Sequence, residues 1–168
     1  RKLYEHGVAI NKPEIYAKGM LALFTSKDYN LTKGLNILLD QDVKKIAVAN
    51  AKTAPYGVIT KEALINAKLY KKIEDKLIYG ESIGQTLTFT LKAADIGIVA
   101  KTNLYSKELS GFKKGKNWID LDSNLYTPTK QGIVIIKRAT NLKEARLFYN
   151  YILSKPAKEI FKKYGYLE

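Results

Sequence analysis

Two stretches of this chain could hold an anion through backbone and hydroxyl donors alone. They are Ala49-Asn-Ala-Lys-Thr-Ala-Pro-Tyr-Gly and Tyr79-Gly-Glu-Ser-Ile-Gly-Gln-Thr. Each follows a short apolar run and leads into residues with helical spacing, so each reads as a strand-to-helix loop. Amides in the first turn of a helix have no intrahelical acceptor, and the helix dipole places positive charge beside them. In the first loop Pro55 restricts Ala54 to extended geometry, and Gly57 admits another group close to the backbone. The amides of Tyr56, Gly57 and Val58 are expected as donors there. In the second loop Ser82 is a candidate cap, Gly84 keeps the first turn open, and the amides of Ile83 and Gly84 are expected to point outward. Either loop alone also reads as an ordinary turn or a plain Ser cap. Two Gly-containing helix starts on one sheet edge favour a shared anion pocket. Neither a Gly-x-x-x-x-Gly-Lys-[Ser/Thr] loop nor a Gly-x-Gly-x-x-Gly loop occurs, so nucleotide phosphate is not specifically indicated.

Other chemistries find less material. The chain has no Cys, which removes a disulfide scaffold, a thiolate metal site and a cysteine nucleophile. His6 is the only His, and its Tyr-Glu-His-Gly surroundings read as a surface helix end, not a triad or metal site. Asp120 and Asp122 could form a carboxylate pair, but read better as loop residues beside Trp118. The run Phe148-Tyr-Asn-Tyr lies in a predicted helix and is expected in a core or interface, not as a base-stacking platform. No enzyme is expected.

The 168 residues carry 29 Lys+Arg against 16 Asp+Glu, a net charge of +13. Nucleic acid, an anionic membrane surface or a small anion could each account for that field. The lysines are spread along the chain, and Arg occurs only as Arg1, Arg138 and Arg146. Solvated surface is therefore the stronger reading, and a basic nucleic-acid-binding module is the alternative function. The longest apolar stretch, Gly19 to Phe24, is far too short to span a bilayer.

The elements that would position the two loops follow from pattern. Buried strands are predicted at Gly19 to Thr25, Ile46 to Ala49, Lys76 to Tyr79, Asp95 to Ala100 and Gln131 to Ile136. A short helix is predicted over Asn36 to Asp42, after a loop over Asp28 to Asn36. Helices are predicted from Thr60 to Leu69, and after Ser82 with Ile83, Leu87 and Leu91 on one face. Residues 104 to 127 read as irregular. A long helix begins after Asn141, with Glu144 completing something close to a capping box. A last helix holds Pro156 near its first turn and stops at Gly165. Strands alternating with helices give an α/β fold whose ligand crevice lies at the carboxyl ends of the strands.

These residues also resemble a known family. Ile46-Ala-Val-Ala-Asn-Ala-Lys-Thr-Ala-Pro-Tyr-Gly followed by Lys61-Glu-Ala-Leu looks like the central signature of periplasmic molybdate-binding proteins. Glu81-Ser-Ile-Gly-Gln-Thr-Leu, Asp95-Ile-Gly-Ile-Val-Ala and the segment from Phe148 to Tyr166 are similar to later parts of that family. The resemblance implies a type II periplasmic-binding-protein-like fold, with a complete second lobe and a partial first lobe. Residues 1–27 would be the tail of the first lobe and a crossing strand, 28–127 the second lobe, and 128–168 a return strand and closing helices. It further implies a molybdate or tungstate ion held between lobes by hydroxyls and amides, with no metal ligated directly and no cofactor. The backbone amides of Tyr56 and Ile83 would be contacts. The Tyr hydroxyl that some members place at the end of the Ile-Gly-Ile-Val strand is replaced by Ala100. The serine-bearing opening segments of the family have no counterpart here. The implied partner is the permease of an ABC importer, the implied location periplasmic or otherwise extracytoplasmic, with or without a lipid anchor. The chain is expected to be a monomer that does not bind nucleic acid.

Overall fold

Ile46-Ala-Val-Ala is short, apolar and rich in β-branched residues, and all four residues are buried. It is therefore a central strand covered on both faces, and the rest of the larger unit is arranged about it. In the computed structural model, residues 2–167 are described, and they divide into two compact units. The first comprises residues up to Gly19 together with those from Lys130 onward; the second runs from Met20 to Thr129.

The second unit holds a five-stranded mixed sheet in the order β4-β3-β5-β2-β6. Its strands are β2 (Leu21–Phe24), β3 (Ile46–Ala49), β4 (Leu77–Gly80), β5 (Ile96–Ala100) and β6 (Trp118–Asp120). β3 runs parallel to β4 and β5, while β2 runs antiparallel to β5 and β6. The parallel strands need crossovers, and helices supply them. α2 (Pro55–Asn66) follows β3, the short α3 (Tyr70–Ile73) follows α2, and α4 (Ile83–Lys92) joins β4 to β5. The carboxyl ends of β3, β4 and β5, at Ala49, Gly80 and Ala100, thus lie along one edge of the sheet.

Leu21, Leu23, Ile46, Leu64, Ile73, Ile96 and Ile98 form the main core, and Phe24, Val99, Leu104, Leu109 and Trp118 a smaller one. The expected apolar face of α4 is not the buried one. Ile83 and Leu87 are half-buried and Leu91 is exposed, while Thr86 and Thr90 are fully buried. The reason lies on the sheet. Gly80 and Gly97 leave room only for a helix pressed close, and a Cβ at Gly97 would collide with Thr90. The threonine hydroxyls are satisfied within the helix, Thr86 donating to Ser82 O (2.9 Å) and Thr90 to Thr86 O (2.9 Å). The segment expected as a loop and then a helix over 28–42 is instead a 3₁₀ stretch from Leu31 to Leu39, interrupted at Gly34, whose φ is +57°.

In the first unit, β1 (Glu14–Gly19) and β7 (Thr129–Ile133) form a two-stranded sheet beside α5 (Leu142–Ile152) and α6 (Lys155–Lys163). α1 (Lys2–Glu5) is a single turn. His6 follows it and is exposed, as a helix-end residue should be. The expected buried strand over Gln131 to Ile136 is corrected: β7 ends at Ile133 and alternates half-buried with exposed residues, because it pairs with only one strand. Asn141 caps α5 as predicted, accepting from the Glu144 amide at 3.1 Å. Phe148 and Tyr151, expected in a core or interface, are exposed. The second unit begins at Met20, and β2 is bonded on both sides within it. No described helix is long and apolar enough to cross a membrane.

Candidate functional site

The first loop is built around Asn50. Its amide donates to Gly80 O of the neighbouring strand (2.8 Å), and its side-chain oxygen accepts from the Lys52 amide (3.0 Å). Its main-chain carbonyl accepts from Thr53 and Ala54. This Asx-type turn delivers Ala54, which is buried and extended (φ −128°, ψ 129°), as the cap of α2, with Pro55 as its first residue. Tyr56 is therefore the second residue of the helix.

Gly57 permits the close approach expected of it, but its amide is engaged within the turn. Its amide donates to Ala54 O at 2.9 Å, and the Val58 amide shares that acceptor. The close approach it permits is by the chain itself: an added Cβ would lie 2.6 Å from Ala49 O. Gly57 lets the first turn of α2 sit against the end of β3.

In the second loop Ser82 is extended and caps α4, its hydroxyl accepting from the Gln85 amide at 3.1 Å. Gln85 reaches back and accepts from the Glu81 amide at 2.6 Å, a variation on the capping box. Ile83 and Gly84 are the first two residues of the helix, and their amides have no acceptor among the described residues.

The two loops are tied together through Glu81. The Asn50 side-chain amide donates to its carboxylate (3.1 Å), and the Thr53 hydroxyl donates to its main-chain carbonyl (2.9 Å). Asn50, Thr53, Glu81 and Gln85 hold both helix starts in register, and the expectations above did not include them in that role. The signals were present in Ser82-Ile-Gly-Gln85, a capping-box spacing, and in an Asn followed by Thr in a turn. Ala100 closes β5 on the same edge; it is buried and pairs with Leu21 across to β2. Its methyl group offers no donor. A phenol does reach this edge from another segment, since Tyr126 Oη accepts from the Leu21 amide at 2.9 Å. Burial pushes that phenol up from its ordinary pKa. Among the described residues no cluster of His, Cys, Asp and Glu could hold a metal ion.

What this edge offers is a pair of braced helix starts, with the positive ends of two dipoles and, at α4, the Ile83 and Gly84 amides, suited to a small anion. Residues 1–167 match the family described as bacterial extracellular solute-binding protein, and the chain belongs to that family. Over 169 aligned residues it is 31% identical to the molybdate-binding protein ModA of Rhodobacter capsulatus, covering 99% of this chain and 64% of that protein. It is 32% identical over 125 residues to the putative ABC transporter substrate-binding lipoprotein YvgL of Bacillus subtilis (strain 168), covering 73% of this chain and 46% of that one. Among solved structures, the periplasmic molybdate-binding protein of Azotobacter vinelandii superposes with a TM-score of 0.86 at 27% identity, covering 99% of this chain and 73% of that one. The fold is accordingly of the periplasmic-binding-protein type, mixed α/β. The chain spans just under two thirds of the length of the ModA relative.

Proposed function

We propose that this chain binds a tetrahedral oxyanion, molybdate or tungstate, as the ligand-binding component of an ABC importer. The carrying observation is the bonded pair of loops at the starts of α2 and α4, with the Ile83 and Gly84 amides lacking acceptors among the described residues. The amide of Tyr56, second in α2, and that of Ile83, first in α4, are assigned to the anion; Ala54, Pro55, Gly57, Ser82 and Gly84 shape the two turns. Ala100 gives no contact of its own. Likeness to molybdate-binding proteins supports this choice of ligand, and the family supports a place outside the cytoplasm and a membrane permease as partner. No catalytic role is assigned to any residue. The nucleic-acid alternative rested on charge alone and finds no support in the likenesses. A monomer is the expected state.

Calorimetric titration of the protein with molybdate, tungstate, sulfate and phosphate tests the reading. Neutral donors suit a fully deprotonated dianion. Phosphate at neutral pH carries a proton, and a protonated oxygen facing an N–H forfeits a charge-assisted bond of roughly 1.5–3 kcal/mol. Molybdate and tungstate should therefore bind at least about tenfold more tightly than phosphate. Phosphate binding as tight as molybdate would overturn the assignment.

A further inference from the structure

A pocket of about 320 Å³ opens on the side of α2 that faces the edge strand β4. It takes in Asn50, Lys52 and Gly57 of the first loop but none of Tyr56, Ser82, Ile83 or Gly84, so it adjoins the proposed oxyanion site without including the amides assigned to the anion. Its volume is at the small end of the range for ligand pockets.

Its lining has three tiers. Val48 and Leu64 are buried and Leu77 half-buried, giving an apolar floor. Thr60 also lines it, is 1% exposed, and its hydroxyl has no hydrogen-bond partner among the described residues. A buried hydroxyl left unpaired is destabilising, and a ligand's polar atom would relieve that. Toward solvent stand two phenols, Tyr70 and Tyr79, their oxygens 3.4 Å apart. Burial and the Tyr70 hydroxyl push the Tyr79 phenol up to about 12, and like any phenol it is protonated at neutral pH and can donate. Lys61 lies 5.2 Å from the Tyr70 ring centroid, and neither Lys61 nor Lys52 has a carboxylate partner among the described residues. The nearby acids are otherwise engaged: Glu74 pairs with Lys71 at 3.5 Å, and Glu81 accepts from Asn50.

We propose that this pocket is a second ligand site, taking a small aromatic carboxylate that carries a polar group at the end opposite its carboxylate. The ring lies on Val48, Leu64 and Leu77, the inner polar group reaches Thr60, and the carboxylate meets Lys61, Lys52 and the phenols at the mouth. The inference does not rest on the oxyanion reading.

Three probes separate its parts: 4-hydroxybenzoate carries all the groups, benzoate lacks the inner hydroxyl, and 4-hydroxybenzyl alcohol lacks the charge. Calorimetry and amide NMR shifts are the readouts. The expected result is saturable binding of 4-hydroxybenzoate, with shifts at Val48, Thr60, Leu64, Leu77 and Tyr79, unaffected by saturating molybdate. Benzoate should bind about fivefold more weakly, one hydrogen bond's worth. Thr60→Val should bring 4-hydroxybenzoate down to the benzoate level and leave benzoate unchanged. It removes an unpaired hydroxyl, so its melting temperature should not fall. Lys61→Gln, at an exposed position, should weaken both carboxylates about fivefold and leave the alcohol unchanged. No saturable binding, competition by molybdate, or an alcohol that binds as tightly as the acid would overturn the proposal. So would a folded Thr60→Val protein that binds 4-hydroxybenzoate undiminished; should that variant not fold, Lys61→Gln decides alone.

Discussion

At the scale of the residue, the proposed oxyanion site separates what a side chain does from what its backbone does. Ile83 is the first residue of α4, and the Ser82 before it is extended at φ −141° and ψ 163°. That is close to the geometry a proline demands of its predecessor, and proline is well suited to a first helical position. Ile83→Pro therefore removes one N–H while keeping the helix start. It should weaken molybdate binding by about tenfold or more, since a hydrogen bond to a charged group contributes roughly 1.5–3 kcal/mol. Ile83→Ala and Tyr56→Ala keep their amides and should stay within about threefold of the parent. Calorimetry on variants whose circular dichroism matches the parent decides it. A folded Ile83→Pro protein of unchanged affinity would remove the Ile83 amide from the site. Thr53 and Glu81 act one step further out, by fixing the two helix starts relative to each other.

At the scale of the element, the sequence marked β2, β3, β4 and β5 because each is a short apolar run bounded by polar or turn residues. The carboxyl-end loops were legible for the same reason, and Ser82 was readable as a cap from its type and place. The buried face of α4 was not legible. Hydrophobic spacing names Leu91, yet the sheet presents Gly80 and Gly97, and only residues the size of threonine fit against them. Pairing partners are likewise invisible in a single strand, so β7 reads as buried when it is half-exposed. Asp95, passed over as the opening of a strand, turns out to clamp three segments. Its carboxylate accepts from the amides of Lys44 and Lys45 (2.8 and 2.9 Å) and from the Lys27 ammonium (2.6 Å). Burial alone would raise its pKa, but these bonds outweigh burial and hold the carboxyl below the ordinary carboxylate value. A carboxylate lowered in the folded state adds stability that is present above its unfolded pKa, near 4, and is lost as pH falls through the folded value. Asp95→Asn should cost roughly 2 kcal/mol at neutral pH. Below about pH 4 the gap from the parent should narrow, because the parent loses there what the variant never had. Thermal melts of both proteins between acid and neutral pH measure this; a gap constant with pH would show that the charge of Asp95 contributes nothing.

At the scale of the whole molecule, apolar burial is distributed very unevenly between the two units. Both core clusters consist entirely of residues between Met20 and Tyr126. In the unit formed by the chain ends, the buried apolar residues are Ala9, Ala17, Ile135 and Ala157, three of them alanines. The same unit exposes Leu147 and Phe148, each at 62%. Burying a large aliphatic or aromatic side chain contributes roughly 1.5–3 kcal/mol, and a methyl group much less. Segments with few buried apolar contacts open with low free energy, whatever the stability of their neighbours. Amide hydrogen exchange of the protein should therefore show two classes. The amides of β2, β3 and β5 should exchange slowest, at the rate set by global unfolding. Those of α5, α6, β1 and β7 should exchange at least about tenfold faster, a difference of 1.4 kcal/mol or more in opening free energy. Molybdate should slow exchange at the starts of α2 and α4, because a ligand that binds only the folded form stabilises it by mass action. Equal protection in the two units would show that the apolar face around Leu147 and Phe148 is covered in solution, and the division of stability drawn from burial would then be wrong.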